Sequence, residues 1–264
     1  MRLRRLSGYL GLVLAIAILG FWLLSGVFFL NSSLANLGLG GILLGIFVRT
    51  WLHTGLFIVG HDAMHGHVAP RFARLNRSIG QLAVFLYACL PYNYCRRNHR
   101  LHHQFPGQNG DPDFHDGIHL NFHQWYLRFI WGYFSWTYFL RFSTVVLCLA
   151  IAGHWLFSVA YANTFLFLLL PLVLSSIQLF FFGTYLPHGQ KAFPKLNSQK
   201  YPLGSYLWSL VSCYHFGVYH EEHHVRPDKP WFQLPNLIAT PNQDQRKKTK
   251  PYRKPINHLQ SSEQ

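Results

Sequence analysis

Charged side chains are scarce in this chain of 264 residues. Asp, Glu, Lys and Arg together make up 12% of it, while 50% of the residues are hydrophobic and 17% are aromatic. An ordinary soluble domain is about 25% charged, so a soluble globule of this composition could not cover its surface with polar groups. The aromatic content also excludes an intrinsically disordered chain. The composition therefore favours an integral membrane protein.

Acidic and thiol groups are also in short supply. The chain has 9 Asp and Glu residues but 17 His, so chemistry that needs several carboxylates has little material, whereas imidazole chemistry has plenty. The four cysteines form no CxxC pair and no regular spacing, which excludes a zinc ribbon and a disulfide framework. They are Cys89, Cys95, Cys148 and Cys213.

Two long segments, 6–48 and 142–190, contain no charged residue at all. A membrane-spanning helix needs about 20 mainly apolar residues. Each segment is long enough for two such helices, and each divides at a polar point, near Asn31 in the first and near Asn163 in the second. We therefore predict an all-α integral membrane fold with four spans, near residues 8–30, 36–58, 143–160 and 164–186.

Two other apolar segments are expected at the membrane boundary. Residues 79–90 are too few to span and end at Pro91, which predicts a re-entrant or interfacial segment. Residues 122–141 combine Trp and Tyr with two arginines, as an interfacial helix does, although core packing explains the aromatic residues equally well. The predicted organisation is one membrane-embedded domain over 1–242 and a basic, disordered tail over 243–264.

The cations predict which way the spans cross. They lie before the first span, between the second and third, and after the fourth. The positive-inside rule therefore puts these three regions and both termini in the cytoplasm. Arg49, the one cation inside a predicted span, must contact protein or extend to the membrane surface. No nucleic-acid partner is predicted, although the formal net charge is +14.

Eight histidines recur with helical spacing in the regions predicted as cytoplasmic, and a ninth accompanies them. His61 and His65 are four residues apart at the end of the second span, which puts both rings on one face of a helix. Two further clusters have the spacing HxxHH, and His188 stands alone just beyond the fourth span. The two clusters are His99, His102 and His103, and His220, His223 and His224.

This repetition predicts a metal-binding, histidine-rich cytosolic cap. A single histidine pair is more often surface decoration than a metal site, but three clusters on one predicted side of the membrane are not explained that way. One first-row metal takes about four to six ligands, so nine imidazoles indicate two metal ions. Helix bundles that hold two irons normally use Glu and Glu-x-x-His, a pattern that the spans lack. Any di-iron site here must therefore be of an all-histidine kind.

The pattern resembles the membrane di-iron desaturase and hydroxylase superfamily, whose mark is HxxxH, HxxHH and HxxHH on the cytosolic side of four spans. More narrowly, it is similar to the beta-carotene ketolases of bacteria and cyanobacteria. The resembling stretches are GLFIVGHDAMHG at 55–66, DPDFH at 111–115, SSIQLF at 175–180, FGTYLPH at 182–188, CYHFG at 213–217, YHEEHH at 219–224 and PWFQLP at 230–235.

The resemblance implies oxidation of C4 of a beta-ionone ring. In the family, two successive hydroxylations give a geminal diol, which loses water and leaves a ketone. Beta-carotene would give echinenone and then canthaxanthin. The implied cofactors are two iron ions with O2 as co-substrate, and the implied partners are a carotenoid dissolved in the lipid bilayer and reduced ferredoxin or a similar electron donor.

The resemblance also implies how the ligands divide. One iron would be bound by His61, His65, His99, His103 and His224, and the other by His102, His188, His220 and His223. Five further residues are candidates for positions behind the ligands: Asp62, Glu222, Asp111, Asp113 and His215. For Asp111 and Asp113, holding the loop is an equally good interpretation. His215 is either a tenth ligand, a partner of a ligand, or a packing residue.

Two alternatives stay open at this point. A fatty-acyl desaturase or a carotenoid 3-hydroxylase would have the same histidine boxes, and Phe232 and the Gln108–Gly110 run depart from the ketolase pattern in ways that put substrate preference in doubt. A non-catalytic metal transporter or sensor needs polar ligands at mid-membrane depth. The predicted spans are almost bare of such ligands, which makes this the less favoured alternative.

Overall fold

Long apolar helices dominate the computed structural model, which describes residues 2–115, 117–118, 121–189 and 203–237. These residues form helices and connecting turns, with no β-strand among them. The helices are α1 (Arg2–Leu30), α2 (Leu34–His65), α3 (Ala73–Ala88), α4 (Tyr92–Gln104), α5 (Phe122–Tyr133), α6 (Trp136–Phe157), α7 (Tyr161–His188), α8 (Leu203–Cys213) and α9 (His220–Val225), followed by a 3₁₀ helix at Trp231–Leu237.

The predicted all-α fold with four membrane-spanning helices is confirmed. Helices long and apolar enough to cross a bilayer are Tyr9–Leu30, Leu34–His65, Trp136–Phe157 and Tyr161–His188. The second helix continues seven residues past the predicted 58 to His65, where Gly66 adopts a left-handed conformation (φ +83°) and its N–H bonds back to the last turn. This glycine cap ends the helix. The predicted tail, 243–264, lies outside the described residues.

The segment 122–141, for which an interfacial helix and core packing were equally good interpretations, forms parts of two helices. It is divided between α5 and the start of the third spanning helix, α6, and the break falls at Phe134 and Ser135. Serine is a preferred residue at the position before a helix, and Ser135 occupies that position here. Of the segment predicted at 79–90, residues 79–88 belong to α3, which begins earlier, at Ala73, and ends at Ala88.

Glycines allow α2 and α3 to approach closely. A side chain on Gly60 of α2 would overlap Val84 of α3, and a side chain on Gly80 of α3 would overlap Ala63 of α2. Larger residues at either glycine would push the two helices apart, because packed interiors leave few voids. The contact fixes the end of α2, which carries the first two histidines, against the turn into α4.

Two contacts show which helix ends lie together. At one end, Asn163 at the start of α7 donates its side-chain N–H to the backbone oxygens of Phe29 (3.0 Å) and Ser32 (2.7 Å), where α1 ends. At the other end, Gly11 of α1 lies so close to the backbone oxygen of His67 that no side chain would fit. The start of α1 and the ends of α2 and α7 therefore share one end of the bundle, which we call the histidine end.

The C-terminus of α8 is held by side chains of the spanning helices. The last carbonyls of a helix have no partner within it. Trp51 Nε1 donates to Leu210 O (3.3 Å), and Gln178 Nε2 donates to Val211 O (3.1 Å) and to Ser212 O. Because these bonds come from α2 and α7, they fix α8, and with it the turn into α9, relative to the spans.

Arg49 is almost fully buried inside the second span, with 1% of its surface exposed. Its Nε donates to Phe167 O (2.9 Å), while Nη1 donates to Ser25 Oγ (3.1 Å) and to Trp22 O, and the guanidinium lies over the Trp22 ring. Pro171, four residues after Phe167, has no N–H to give to that carbonyl. Arg49 therefore satisfies a backbone oxygen that the proline leaves free, and it joins α1, α2 and α7.

Candidate metal centre

The nine predicted histidines gather at the histidine end of the bundle, carried by four helices. His61 and His65 are on the last turn of α2, His188 ends α7, and the two HxxHH clusters are on α4 and α9. Their side chains form two compact groups, within each of which the candidate ligand atoms lie within 4.8 Å of one another. The chain thus brings together residues that are up to 163 positions apart in sequence, counting from His61 to His224.

The first group has five imidazoles. Its members, which we call the five-histidine group, are His61, His65, His99, His103 and His223. Nε2 of His99 lies 2.7 Å from Nε2 of His65 and 3.0 Å from Nε2 of His103, and Nε2 of His103 lies 3.0 Å from Nε2 of His223. The same ring nitrogen of four residues on three helices is therefore turned toward one point.

The second group has four imidazoles. Its members, the four-histidine group, are His102, His188, His220 and His224. Nε2 of His220 lies 3.0 Å from Nε2 of His188 and 2.9 Å from Nε2 of His224, and Nε2 of His224 lies 3.0 Å from Nε2 of His102. All four rings turn Nε2 inward, as in the first group.

The division of α9 between the groups is the reverse of what the resemblance implied: His223 belongs to the five-histidine group and His224 to the four-histidine group. Helix geometry is the reason. At about 100° per residue, positions i and i+4 differ by about 40° around the axis and share a face, whereas i+3 lies about 60° away in the other direction. His220 and His224 therefore stay together, and His223 points to the neighbouring group.

The same rule divides α4. His99 and His103, four residues apart, are both in the five-histidine group, while His102 between them is in the four-histidine group. Each HxxHH cluster thus gives its outer pair to one group and its middle histidine to the other. The rings of His103 and His224, one from each group, lie 4.5 Å apart between centroids, so the two groups are direct neighbours.

Asp111 orients one of these histidines. Its two carboxylate oxygens lie 3.0 and 2.9 Å from Nδ1 of His102, and they also accept the backbone N–H of Gly107 and of Asp113, both at 2.9 Å. A carboxylate that accepts from Nδ1 fixes the proton there and leaves the lone pair on Nε2 free for a metal. Gly107 (φ +64°) is needed in this loop because a Cβ would come within 3.0 Å of His188 Nδ1.

The other residues that were candidates for contacting the ligand side chains differ in their surroundings. Asp62 lies 3.4 Å from His61 Nδ1 and accepts the backbone N–H of Trp231 (3.2 Å). Glu222 is half-buried on α9. His215 is outside both groups: its Nδ1 lies 2.7 Å from Ser209 Oγ and its ring stacks on Trp231. The position of His215 therefore favours packing over ligation.

Burial keeps most of the ligand rings outside the spanning helices uncharged. It lowers the pKa of His99, His220 and His223 well below the usual value for imidazole, and the charges of neighbouring rings lower it further. Burial and the adjacent His102 lower the pKa of His103 to about 4, and burial followed by the neighbouring rings lowers that of His224 to about 2. Neutral imidazole is the form that binds a metal.

His102 is the exception among these rings. Burial lowers the pKa of its imidazole, but the hydrogen bond to Asp111 and the charge of Asp113 outweigh burial, so that the pKa is raised. Burial raises the pKa of the Asp113 carboxyl as well. The raised pKa of His102 follows from the carboxylates beside its Nδ1, on the side of the ring away from the four-histidine group.

The donor set fits metal ions. Several imidazoles, held close together with the same nitrogen facing inward, have too few protons to bond to one another all at once, and a cation at the common point would satisfy their lone pairs. The Nδ1 atoms of His220, His223 and His224 are buried without a hydrogen-bond partner in the described residues, so these three rings have no acceptor that would fix their tautomer as Asp111 does for His102. Imidazole suits iron, zinc and copper.

A further contact at this end was not predicted from the sequence. Tyr133 Oη donates to Asp113 Oδ1 (2.8 Å), and Trp125 Nε1 donates to the backbone oxygen of Asp113 (2.9 Å). Trp125, Phe129 and Tyr133 recur every fourth residue on α5, which puts them on one face. This periodicity is the signal that could have separated the buried aromatic residues of 122–141 from the exposed ones.

A large apolar cavity leads to the histidines. Its volume is about 580 Å³, and its walls are mostly aromatic and aliphatic side chains of α2, α5, α6 and α7. Members of both groups line it, among them His61 and His220. Trp131 and Trp136 also line it although each is more than half exposed on the outside of the bundle, so the cavity reaches the bundle surface between α5 and α6.

Comparison with known proteins shows the family of the chain. The fatty acid desaturase family model matches residues 32–254. The chain is similar to a beta-carotene ketolase of Paracoccus sp. (strain N81106 / MBIC 01143), with 42% identity over 71% of this chain and 75% of that protein. A beta-carotene ketolase of Paracoccus sp. (strain PC1) is 40% identical over 86% of this chain and 91% of its own length.

A third relative shows the same likeness over a shorter part of its length. The zeaxanthin 4-ketolase of Chlamydomonas reinhardtii is 40% identical over 72% of this chain and 42% of that protein. No solved structure matches the chain at a significant level.

Proposed function

Because the chain belongs to the fatty acid desaturase family, we propose that it is a membrane-bound carotenoid ketolase that introduces a keto group at C4 of the beta-ionone ring. Relatives that are named beta-carotene and zeaxanthin ketolases cover most of this chain. The observation that carries the proposal is the apolar cavity that opens on the bundle surface and ends on both histidine groups. A long hydrocarbon dissolved in the bilayer can enter such a cavity with one ring at the metal site.

The proposed metals are two irons, one for each histidine group. His61, His65, His99, His103 and His223 would hold one, and His102, His188, His220 and His224 would hold the other. Bound iron would supply the activation of O2 that oxidation of a carbon–hydrogen bond requires. The chain's own part is to hold the imidazoles neutral and oriented, as Asp111 does for His102, and to keep water away from the ring with apolar walls.

The reaction balances as two oxidations and one loss of water. Each oxidation of C4 consumes one O2, two electrons and two protons. One oxygen atom becomes the C4 hydroxyl group, and the other leaves as water. The second hydroxyl on the same carbon makes a geminal diol, and loss of water from the diol leaves the ketone. Beta-carotene would thus be converted into echinenone and then canthaxanthin.

The electrons are proposed to come from an acidic carrier such as reduced ferredoxin on the cytoplasmic side. Arg96, Arg97 and Arg100 are exposed on α4, on the helix that carries the middle histidine cluster, and Arg74 and Arg77 are exposed on α3. A basic face of this kind attracts an acidic partner. The same cations support an orientation in which the histidine end faces the cytoplasm.

Pigment analysis tests the proposal. Expressed in bacteria that make beta-carotene, the chain is expected to convert it into 4-keto products, measured by chromatography and mass against the empty vector. Accumulation of 3-hydroxylated pigment would instead identify a hydroxylase, and new unsaturated fatty acids would identify a desaturase. Unchanged beta-carotene in cells whose membranes contain the iron-loaded chain would contradict the ketolase proposal.

A further inference from the structure

Two polar side chains interrupt the apolar wall of the cavity close to the histidines. Asp113 and Tyr133 both line it, and each is 8% exposed. Tyr133 Oη donates to Asp113 Oδ1 (2.8 Å), so the phenol holds the carboxylate in one orientation. Trp125 fixes the backbone of Asp113 from the other side. The pair is therefore built into the wall by α5 and is held rigidly.

Within the part of the chain that the structure describes, no hydrogen bond reaches the second carboxylate oxygen of Asp113, so this oxygen can accept one from a ligand. Asp113 Oδ2 lies 3.9 Å from Nδ1 of His102, which is beyond hydrogen-bond distance. The proton of that nitrogen is directed to Asp111, whose oxygens are closer, at 2.9 and 3.0 Å. Asp111 has all of its partners within the protein, whereas Asp113 keeps acceptor capacity beside the cavity. The two aspartates of the DPDFH motif therefore differ in role.

A ring that has been oxidised once carries a hydroxyl group that requires a hydrogen-bond partner, unlike the hydrocarbon ring that entered the cavity. Its new hydroxyl group lies in a cavity whose walls are mainly apolar, and a buried hydroxyl group without a partner is costly. It either finds a hydrogen-bond acceptor near the metal site or favours departure of the ring before the second oxidation. The unsubstituted ring has no polar group and makes no such demand.

We propose that Asp113 and Tyr133 form a polar anchor that binds the hydroxyl group of the once-oxidised ring and retains it for the second oxidation. The ring hydroxyl donates to Asp113 Oδ2, and the Tyr133 hydroxyl holds the carboxylate in place for it. This inference rests on the proposed ketolase function and adds the residues that select the intermediate. Asp113 contacts the ligand directly, and Tyr133 is a positioning residue.

Replacement of Tyr133 by Phe tests the anchor in the product mixture. The variant keeps the aromatic ring of residue 133 and removes the tyrosine hydroxyl group. We expect the ratio of 4-hydroxy to 4-keto pigment to rise about tenfold, the effect of one lost hydrogen bond to a charged group. The matched control is Tyr94→Phe. Tyr94 packs against the Tyr133 ring, but its hydroxyl group donates to Gly132 O, and the wild-type ratio is expected there.

Binding gives a second measurement that does not depend on turnover. The purified iron-loaded chain, kept without O2 or reductant, is titrated with beta-carotene and with a 4-hydroxylated carotenoid while its tryptophan fluorescence is recorded. Tyr133→Phe is expected to weaken binding of the 4-hydroxylated pigment about tenfold and that of beta-carotene much less. Equal weakening of both pigments would show a merely structural role and overturn the proposal, as would a wild-type product ratio in Tyr133→Phe.

The two proposals fail in different ways. If the wild-type chain makes no ketone, the proposed function is wrong, whatever the variants do. If the wild-type chain makes ketone and Tyr133→Phe makes hydroxylated and keto pigments in the wild-type ratio, the ketolase function stands and the anchor is wrong.

Discussion

The His224→Ala chain is expected to lose one of the two proposed irons and all measurable ketone. His224 is one of only four imidazoles in its group, and three histidines remain when it is removed. His223→Ala leaves four histidines in the five-histidine group, so this variant is expected to retain more iron than His224→Ala. Ketone formation by His223→Ala should still fall by more than about 100-fold. Loss of a metal ligand costs more than loss of a residue that only hydrogen-bonds to a ligand.

The iron content per chain, measured on the purified variants together with the pigment assay, decides which of the two groups His223 and His224 belong to. If His224 belonged to the larger group, as the resemblance implied, the order would be reversed and His223→Ala would lose more iron. The control is His154→Ala. Nδ1 of His154 lies 3.2 Å from Val159 O near the turn between α6 and α7, at the opposite end of the bundle and outside both groups, so this variant is expected to hold as much iron as the wild type.

Asp111→Asn is expected to lower iron retention and ketone formation by about 10- to 100-fold, the usual effect of removing a partner that orients a ligand. The carboxylate accepts hydrogen bonds from His102 Nδ1 and from two backbone N–H groups. The Asn side chain has the same shape but keeps only one acceptor oxygen. Its NH₂ group would face N–H groups that are themselves donors. His102 then loses the bond that fixes its proton on Nδ1.

Chelator titration of the purified chain measures this effect directly, as the concentration that removes half of the iron. Asp228→Asn is the matched control, because Asp228 is an exposed aspartate paired with Arg226 (2.9 Å) and lies outside the histidine groups. The role of Asp111 would be refuted if both variants released iron at the same chelator concentration as the wild type.

Much of the architecture could be predicted because the bilayer imposes simple rules on sequence. A span must be apolar over about 20 residues, and the charge-free segments gave four of them. The break within 122–141 was harder to predict from the sequence, because both the buried Trp125 and the exposed Trp131 are aromatic. Only the side of α5 on which each residue lies distinguishes them.

The gathering of these nine histidines at one end of the bundle could be predicted, and spacing within each helix predicts their division into two groups as well. Helical spacing brings His61 and His65 together without any tertiary information. The exchange of His223 and His224 also follows from helical spacing, once the i and i+4 pairs are kept on one face. The resemblance alone assigned these two residues the other way.

Contacts between distant segments could not be predicted from spacing. Arg49 bonds to Phe167 across 118 residues, and its position depends on the carbonyl that Pro171 leaves free. Tyr133 meets Asp113 only because α5 folds back against the loop after α4. In both cases the sequence shows the polar residue, whereas its partner depends on how the helices pack.

Metal analysis of the purified wild-type chain tests the central claim most directly. The two histidine groups, each with its own set of inward-facing nitrogens, predict about two irons per chain by mass spectrometry of the metal content, in preparations that convert beta-carotene into ketone. One iron per chain, or stoichiometric zinc without turnover, would contradict the account of two separate iron sites.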